Sequence, residues 1–321
     1  MNMWRYVTQR LLWLLVIMVC VAMVIFTIMW FVPGDPAQIM LGVGATAQDI
    51  QDMREILGLN EPFLTQLGNY LWDLLHLDFG TSYTYKIPVI EEFALRLPRT
   101  LTLGMISIAL NILIGIPLGI TAATHRNTFQ DQGLLVSAMV FISVPQFFLA
   151  QMLVILFSVE LGWLPPFGID SWKCWIMPIL AGSLAGIAQI ARQTRSAVLE
   201  TIRADFVTTA RAKGLEERKV IYKHMLPNAL IPVVSDLGMQ LAMVISGSVV
   251  IESVFSFPGI GTYLLTGIQA RDYPVIRGCV LLLAIFSAAV ILLVDLIYAY
   301  LDPRIKAQYV NYAAKKGGKA K

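Results

Sequence analysis

The stretch Leu11–Gly34, LLWLLVIMVCVAMVIFTIMWFVPG, carries no charged residue. A helix needs about 20 apolar residues to cross the roughly 30 Å hydrocarbon layer of a bilayer, and this run has them. The pattern recurs along the chain. Thr100–Thr124 and Gln132–Val159 are uncharged, and Cys174–Ala191 is a shorter uncharged run. Ala229–Ile251 is interrupted only by Asp236, and Gly278–Leu301 only by Asp295. In lipid, backbone groups must find their hydrogen bonds within the segment, so each run is read as a helix rather than a strand. The expectation is an all-α, polytopic membrane protein with six transmembrane helices. The composition agrees, with 57% hydrophobic and 14% charged residues, well off the balance of soluble domains.

Arg5 and Arg10 precede the first run, as in a secretory signal. The run is too long for a signal core and no A-x-A-like cleavage site follows, so an uncleaved anchor is expected. With six spans the two termini share a side. The N-terminus, the 125–131 turn, the 192–228 segment and the 302–321 tail hold two, one, eight and six Lys and Arg, or seventeen of the chain's 24. The opposite set holds seven, against nine Asp and Glu in the 33–99 loop alone. The positive-inside bias thus places both termini and the 192–228 segment in the cytoplasm. The expected organisation is 1–32 as cytoplasmic N-terminus and first span, 33–99 as an extracytoplasmic helical loop, 100–301 as a five-helix core, and 302–321 as a cytoplasmic tail. A net charge of +3 gives no support for a nucleic-acid partner.

Catalytic and metal chemistry find little footing. Cys20, Cys174 and Cys279 are isolated, and His76, His125 and His224 lack ligand spacing. Cys174 and Cys279 both fall near the outer face, which makes a disulfide between them conceivable; apolar surroundings favour simple packing. No G-x-x-x-x-G-K-[ST] loop is present, nor a serine elbow or H-E-x-x-H. Gly42–Ala47 fits a loose G-x-G-x-x-A pattern but follows no strand. The chain is read as a non-enzyme that carries no cofactor and no metal.

One segment stands apart. DFVTTARAKGLEERKVIYKHMLPNALIP, Asp205–Pro232, is dense with charge between two greasy spans. Asp205 suits an N-cap. Phe206, Thr209, Ala210 and Lys213 recur at helical spacing, a face aromatic at one end and small in the middle. Arg211 and Lys213 sit where cations favour the helix dipole, and Gly214 suits the left-handed residue that ends a helix. Leu215 leads into a second helix, Glu216–Leu226, and Pro227 and Pro232 punctuate the return to the membrane. Two short helices meeting at a glycine look built to fit a partner's groove. A basic amphipathic segment lying on anionic lipid is the blander reading.

Spacing favours the groove. Thr208-Thr209-Ala210-x-x-x-Gly214-x9-His224-x-Leu226-Pro227 resembles the coupling motif of binding-protein-dependent ABC importer permeases, E-A-A, three residues, G, nine residues, I-x-L-P. Thr208, Thr209 and His224 depart from it. Those departures, with Thr209–Leu215 reading T-A-R-A-K-G-L and with Asn228-Ala229, resemble the dipeptide, oligopeptide and nickel branch of that family. So do Pro33–Pro36, Leu77–Gly80, Pro117–Gly119, Glu252–Gly261, Arg271–Pro274 and Asp302–Arg304.

The resemblance implies a type I ABC importer permease fold in a bacterial or archaeal plasma (inner) membrane. It implies a pore subunit that pairs with a second, homologous permease. Two cytoplasmic ATPases would receive the coupling hairpins, here 205–227, through Asp205, Phe206, Thr209, Ala210, Arg211, Lys213, Gly214 and Leu215. An extracytoplasmic solute-binding protein would deliver short peptides, or alternatively nickel or a metal chelate. An ion-gradient-driven secondary transporter is the alternative of another class. Within the 33–99 loop, Gln48–Leu57 and Pro62–Leu77 have helical apolar spacing. In the fifth span Asp236, Gln240, Met243 and Gly247 recur on one helical stripe and are candidates to line the pathway; an ion pair for Asp236 at the cytoplasmic edge is the competing reading.

Overall fold

The computed structural model describes residues 3–42 and 44–301; the side-chain surroundings of 3–7, 10, 11, 242, 244–247 and 295–301 are outside the described set. The expected 302–321 tail and the side chain of Asp295 therefore lie outside the described residues. Among those described, structure is helical apart from a single bridge, Thr81 to Pro88. The chain divides into two compact units, residues 1–97 with 263–321, and residues 98–262.

The first unit contains α1 (Met3–Phe31), the short α2 (Pro36–Leu41), α3 (Ala47–Ile56) and α4 (Phe63–Leu75). The two helices expected within the 33–99 loop are α3 and α4. Thr46 opens α3 with a capping box, exchanging hydrogen bonds with Asp49. α5 (Val89–Leu110) starts in this unit and α14 (Tyr273–Leu301) closes it, packing along α1. Two short motifs, Pro33–Pro36 and Arg271–Pro274, are tied in here. Asp35 of Pro33–Pro36 caps α2 and pairs with Arg54 at 2.8 Å. Arg271 donates to the Pro33 carbonyl at 3.0 Å. Asp272, buried, accepts from the Ser82 hydroxyl at 2.6 Å and the Thr84 amide at 2.9 Å.

The second unit is organised on α9 (Lys173–Thr201), against which α6 (Ile116–Thr124), α7 (Phe129–Ser143), α8 (Gln146–Val154) and α12 (Leu226–Val254) pack. α6 comes close because of Gly119: a Cβ there would sit 2.5 Å from the Ala191 carbonyl oxygen. α5 reaches α6 through a π-helical turn, Asn111–Gly115, where Pro117 withholds the amide that a regular helix needs. Among the described residues the apolar core of this unit includes two clusters. One gathers Val198, Val207, Ala210, Val220, Met225 and Val233. The other gathers Leu103, Met177, Ala181, Ile251, Phe255 and Phe257. Beside the second cluster Glu252 is fully buried. It accepts from the Thr100 hydroxyl at 2.7 Å and the Thr262 amide at 3.1 Å. Thr100 in turn accepts from the Ile260 amide at 2.9 Å. These bonds satisfy amides at the free N-terminus of α13 (Ile260–Ala270).

Four helices among the described residues are long and apolar enough to cross a membrane: Leu12–Phe31, Val89–Thr124, Lys173–Thr201 and Tyr273–Val294. Two sequence boundaries shift. The second span begins at Val89, inside the region assigned to the loop. Gln132–Val159 is not one straight helix: α7 and the helix after it, continuous to Glu160, are bent by 98° and count as a fifth span if taken together. Pro145 explains the break, since it lacks an amide and holds Val144 in extended backbone. Ala229–Ile251 falls inside α12, which at 29 residues is about 44 Å long. Cys174 and Cys279 are buried free thiols.

Candidate functional site: a braced hairpin and an amide-lined cavity

The hairpin is built from α10 (Asp205–Ala212), an elbow at Gly214, α11 (Glu217–Lys219) and a π-helical turn, Val220–Met225, that runs directly into α12. Gly214 has φ +75°, the left-handed conformation expected of it. Its amide bonds the Arg211 carbonyl at 2.9 Å and the Leu215 amide bonds the Ala210 carbonyl at 3.4 Å, the paired bonds that close a helix at a glycine. Arg211 then reaches across the elbow to Glu217, with contacts of 3.1 and 2.5 Å. The Arg211 guanidinium holds the Glu217 carboxyl below its ordinary range. Both side chains are well exposed, so the pair adds little to global stability and acts on the angle between the two arms.

Several details differ from the sequence reading. Ala204, not Asp205, is the N-cap and makes no side-chain cap bond; Asp205 is the first helical residue, and its carbonyl accepts from the Thr209 hydroxyl at 2.9 Å. Ala210 does not share the outward face with Phe206, Thr209 and Lys213. It is buried with Val207 against Val198 and Val220, while Asp205, Phe206, Thr209, Arg211, Lys213, Gly214 and Leu215 are exposed. The second arm does not stop at the prolines. Pro227 occupies the first turn of α12 and Pro232 lies inside it, their missing amides accommodated by the preceding π turn and a continuous helix. The second arm of the hairpin is thus continuous with α12.

Beside the second cluster lies a cavity of ≈ 400 Å³, lined by Leu103, Ser107, Asn111, Gln146, Gln189, Gln240 and Met243 among others. Its polar groups form a chain. The Asn111 amide donates to Gln240 Oε1 at 3.0 Å, Gln240 donates to Asp236 Oδ2 at 3.0 Å, and Gln189 approaches Asp236 Oδ1 at 3.5 Å. Asn111 Oδ1 is buried without a partner. Of the four candidate pathway residues, Gln240 and Met243 line the cavity. Asp236 is buried behind Gln240, both its oxygens facing amides rather than a Lys or Arg. The surroundings of Gly247 lie outside the described residues. Asn111, Gln146 and Gln189 were not singled out from sequence, although each is an uncharged polar residue inside an apolar run, which is itself a sign of an inward-facing position. The π turn aims Asn111 at the cavity, and the break at Pro145 brings in Gln146. On the cytoplasmic side of the sequence reading, Asp131 and Arg195 form a bidentate ion pair between α7 and α9.

Residues 115–307 match the family described as "Binding-protein-dependent transport system inner membrane component", and residues 3–104 match its N-terminal component. A glutathione transport system permease protein, GsiC, of Salmonella choleraesuis (strain SC-B67) is 41% identical over 304 residues, covering 95% of this chain and 99% of the relative. A Brucella abortus (strain 2308) protein named for peptide transport is 41% identical over 298 residues, covering 90% and 95%. Among solved structures, an inward-facing MetNI methionine ABC transporter aligns with a TM-score of 0.57 at 21% identity, over 66% of this chain and 96% of that one. At that identity the likeness concerns fold alone.

Proposed function

The chain belongs to the family of binding-protein-dependent transport system inner membrane components, and from that premise we propose that it is the permease subunit of an ATP-driven importer of short peptides. It forms half of the translocation pathway beside a second permease, with six spans, both termini in the cytoplasm and the 33–99 region outside. Solute arrives from an external binding protein. ATP is hydrolysed in two separate cytoplasmic subunits, each gripping one hairpin. The observation that carries this reading is the hairpin itself. Its exposed face, Phe206, Thr209 and Lys213, is held by a closed helix end, an ion pair and a buried anchor on α9 and α12. A lever transmits motion only if it does not bend, whereas a segment merely resting on lipid needs no such bracing.

Phe206→Glu tests the docking half. The change is on an exposed position, so it should cost the fold less than about 0.5 kcal/mol. Membrane insertion is expected to be intact, co-purification of the ATPase subunits lost, and a cysteine placed at Glu216 labelled only from the cytoplasmic side. ATPase retention at wild-type levels, or labelling from outside, overturns the reading.

The cavity supports peptide as the solute class. Amide and hydroxyl groups around an otherwise apolar space suit a backbone with its own N–H and C=O groups, and the unpartnered Asn111 Oδ1 offers an acceptor for a solute N–H. The names of the relatives, for glutathione transport and for peptide transport, point the same way. Gln240→Leu keeps the size of the side chain but deprives Asn111 of its acceptor and Asp236 of a donor. Transport in proteoliposomes should fall at least tenfold while ATPase assembly persists. Normal transport by Gln240→Leu removes this cavity from the pathway.

A further inference from the structure

The first unit contains a separate pocket of ≈ 220 Å³, against the roughly 10–15 Å³ that one buried water needs. It lies where α1 and α14 meet α4, and its lining includes Arg277, Tyr70, Tyr83, Glu61, Asp73 and Asp78. Arg277 is an unusual cation. Its guanidinium rests on aromatic faces, 4.5 Å from the Phe26 ring centre, 5.5 Å from Tyr70 and 5.7 Å from Tyr273. It makes no ion pair among the described residues, and its Nε is buried with no acceptor. The Tyr70 hydroxyl is orphaned in the same way. Burial pushes the Tyr70 phenol up to about 12, so it stays protonated and can donate. A half-buried guanidinium stacked on rings, with a buried Nε and no carboxylate within ion-pair distance, favours an anion. Glu61, Asp73 and Asp78, all exposed, line the same small space and offer acceptors to a cation.

α4 says where such a ligand comes from. Gln66, Asn69, Tyr70 and Asp73 recur at i, i+3, i+4 and i+7 and line the pocket. Leu64, Gly68, Trp72 and Leu75 form the other face, and its three large side chains are exposed. A tryptophan and leucines on one side, polar groups on the other, beside the ends of two candidate spans, is the dress of a helix at the membrane interface.

We propose that this pocket holds the headgroup of a zwitterionic aminophospholipid, with the phosphate on Arg277 and Tyr70 and the primary ammonium among Glu61, Asp73 and Asp78. The site is independent of the transport reading, and its test does not use transport. The purified full-length chain, in its complex, is reconstituted with phosphatidylethanolamine, phosphatidylcholine or phosphatidylglycerol, and bound lipid is counted by native mass spectrometry. Phosphatidylethanolamine should be retained at least fivefold better than the other two, since one lacks ammonium N–H groups and the other lacks the ammonium. Tyr70→Phe should lower that retention severalfold with an unchanged melting temperature, and Arg277→Gln should abolish it. Asp73→Asn should narrow the preference over phosphatidylcholine. Equal retention of the three lipids, or full retention by the folded Tyr70→Phe variant, overturns the proposal. So does equal protection by water-soluble glycerophosphoethanolamine, which would mark a solute site instead.

Discussion

Glu252→Leu should cost the protein about 2–5 kcal/mol, enough to lower its yield from membranes sharply and to shift its melting in detergent by many degrees. The leucine fills a similar space. What it cannot do is accept the Thr100 hydroxyl and the Thr262 amide, and Glu252 has no exposed surface through which water could replace it. The buried Thr100 hydroxyl and the half-buried Thr262 amide lose this acceptor, a buried donor left unmade being worth about 1–3 kcal/mol. The damage should concentrate at the start of α13, because the Ile260 amide is held by the same Thr100 oxygen. Glu252→Gln retains one acceptor oxygen and should lose about half as much. Tryptophan fluorescence melting of the three proteins checks this, with Trp175 a local reporter, 4.8 Å from Phe257 between ring centres. A leucine variant as stable as the parent would mean that these bonds contribute nothing net.

Ala210→Trp should abolish transport, and it should do so from inside. Ala210 is 6% exposed in a packed cluster with Val207, Val220 and Met225, and a bulky ring has no room there. Overpacking of this kind typically costs about 1–3 kcal/mol. Because α10 is seated through these residues, the hairpin should lift off α9 and α12. Proteolysis within 205–219 is the measurement: cleavage should be at least tenfold faster than in the parent. Thr209→Trp, one residue away on the exposed face, should leave proteolysis unchanged and interfere only with ATPase docking. Two variants with the same protection from protease would put Ala210 back on the outer surface.

Those two positions also mark how far the sequence could be read. The apolar runs disclose helices because their physics is local: length and lack of charge suffice, and α1, α9 and α14 lie where the runs lie. Gly214 was legible for a similar reason, since a left-handed turn asks for glycine whatever surrounds it. Ala210 was not legible. Spacing puts it beside both Val207 and Phe206, and only the packing of α10 on α9 and α12 chooses between its faces. The bend at Pro145 was hidden within an uncharged run, because composition counts residues and ignores the amide that proline lacks. The Asp236–Gln240–Asn111 chain needed three dimensions as well. Gln240 and Asp236 are a turn apart on one helix and could be paired by eye, but Asn111 is 129 residues from Gln240.

The division of the chain also sets an order of events. Residues 98–262 form a unit from one unbroken stretch, so it can close as soon as its last helix leaves the ribosome. The other unit cannot, because its two halves flank that stretch. Ser82 waits for Asp272 across 190 positions, and Phe26 waits still longer for Arg277. Early in synthesis α1 stands with the surface that α14 will cover still bare. Ordering so long a loop from a free chain carries an entropic cost, but that cost grows only with the logarithm of loop length. Biogenesis thus runs from the centre outward, and the packing of α14 along α1 is the last to form.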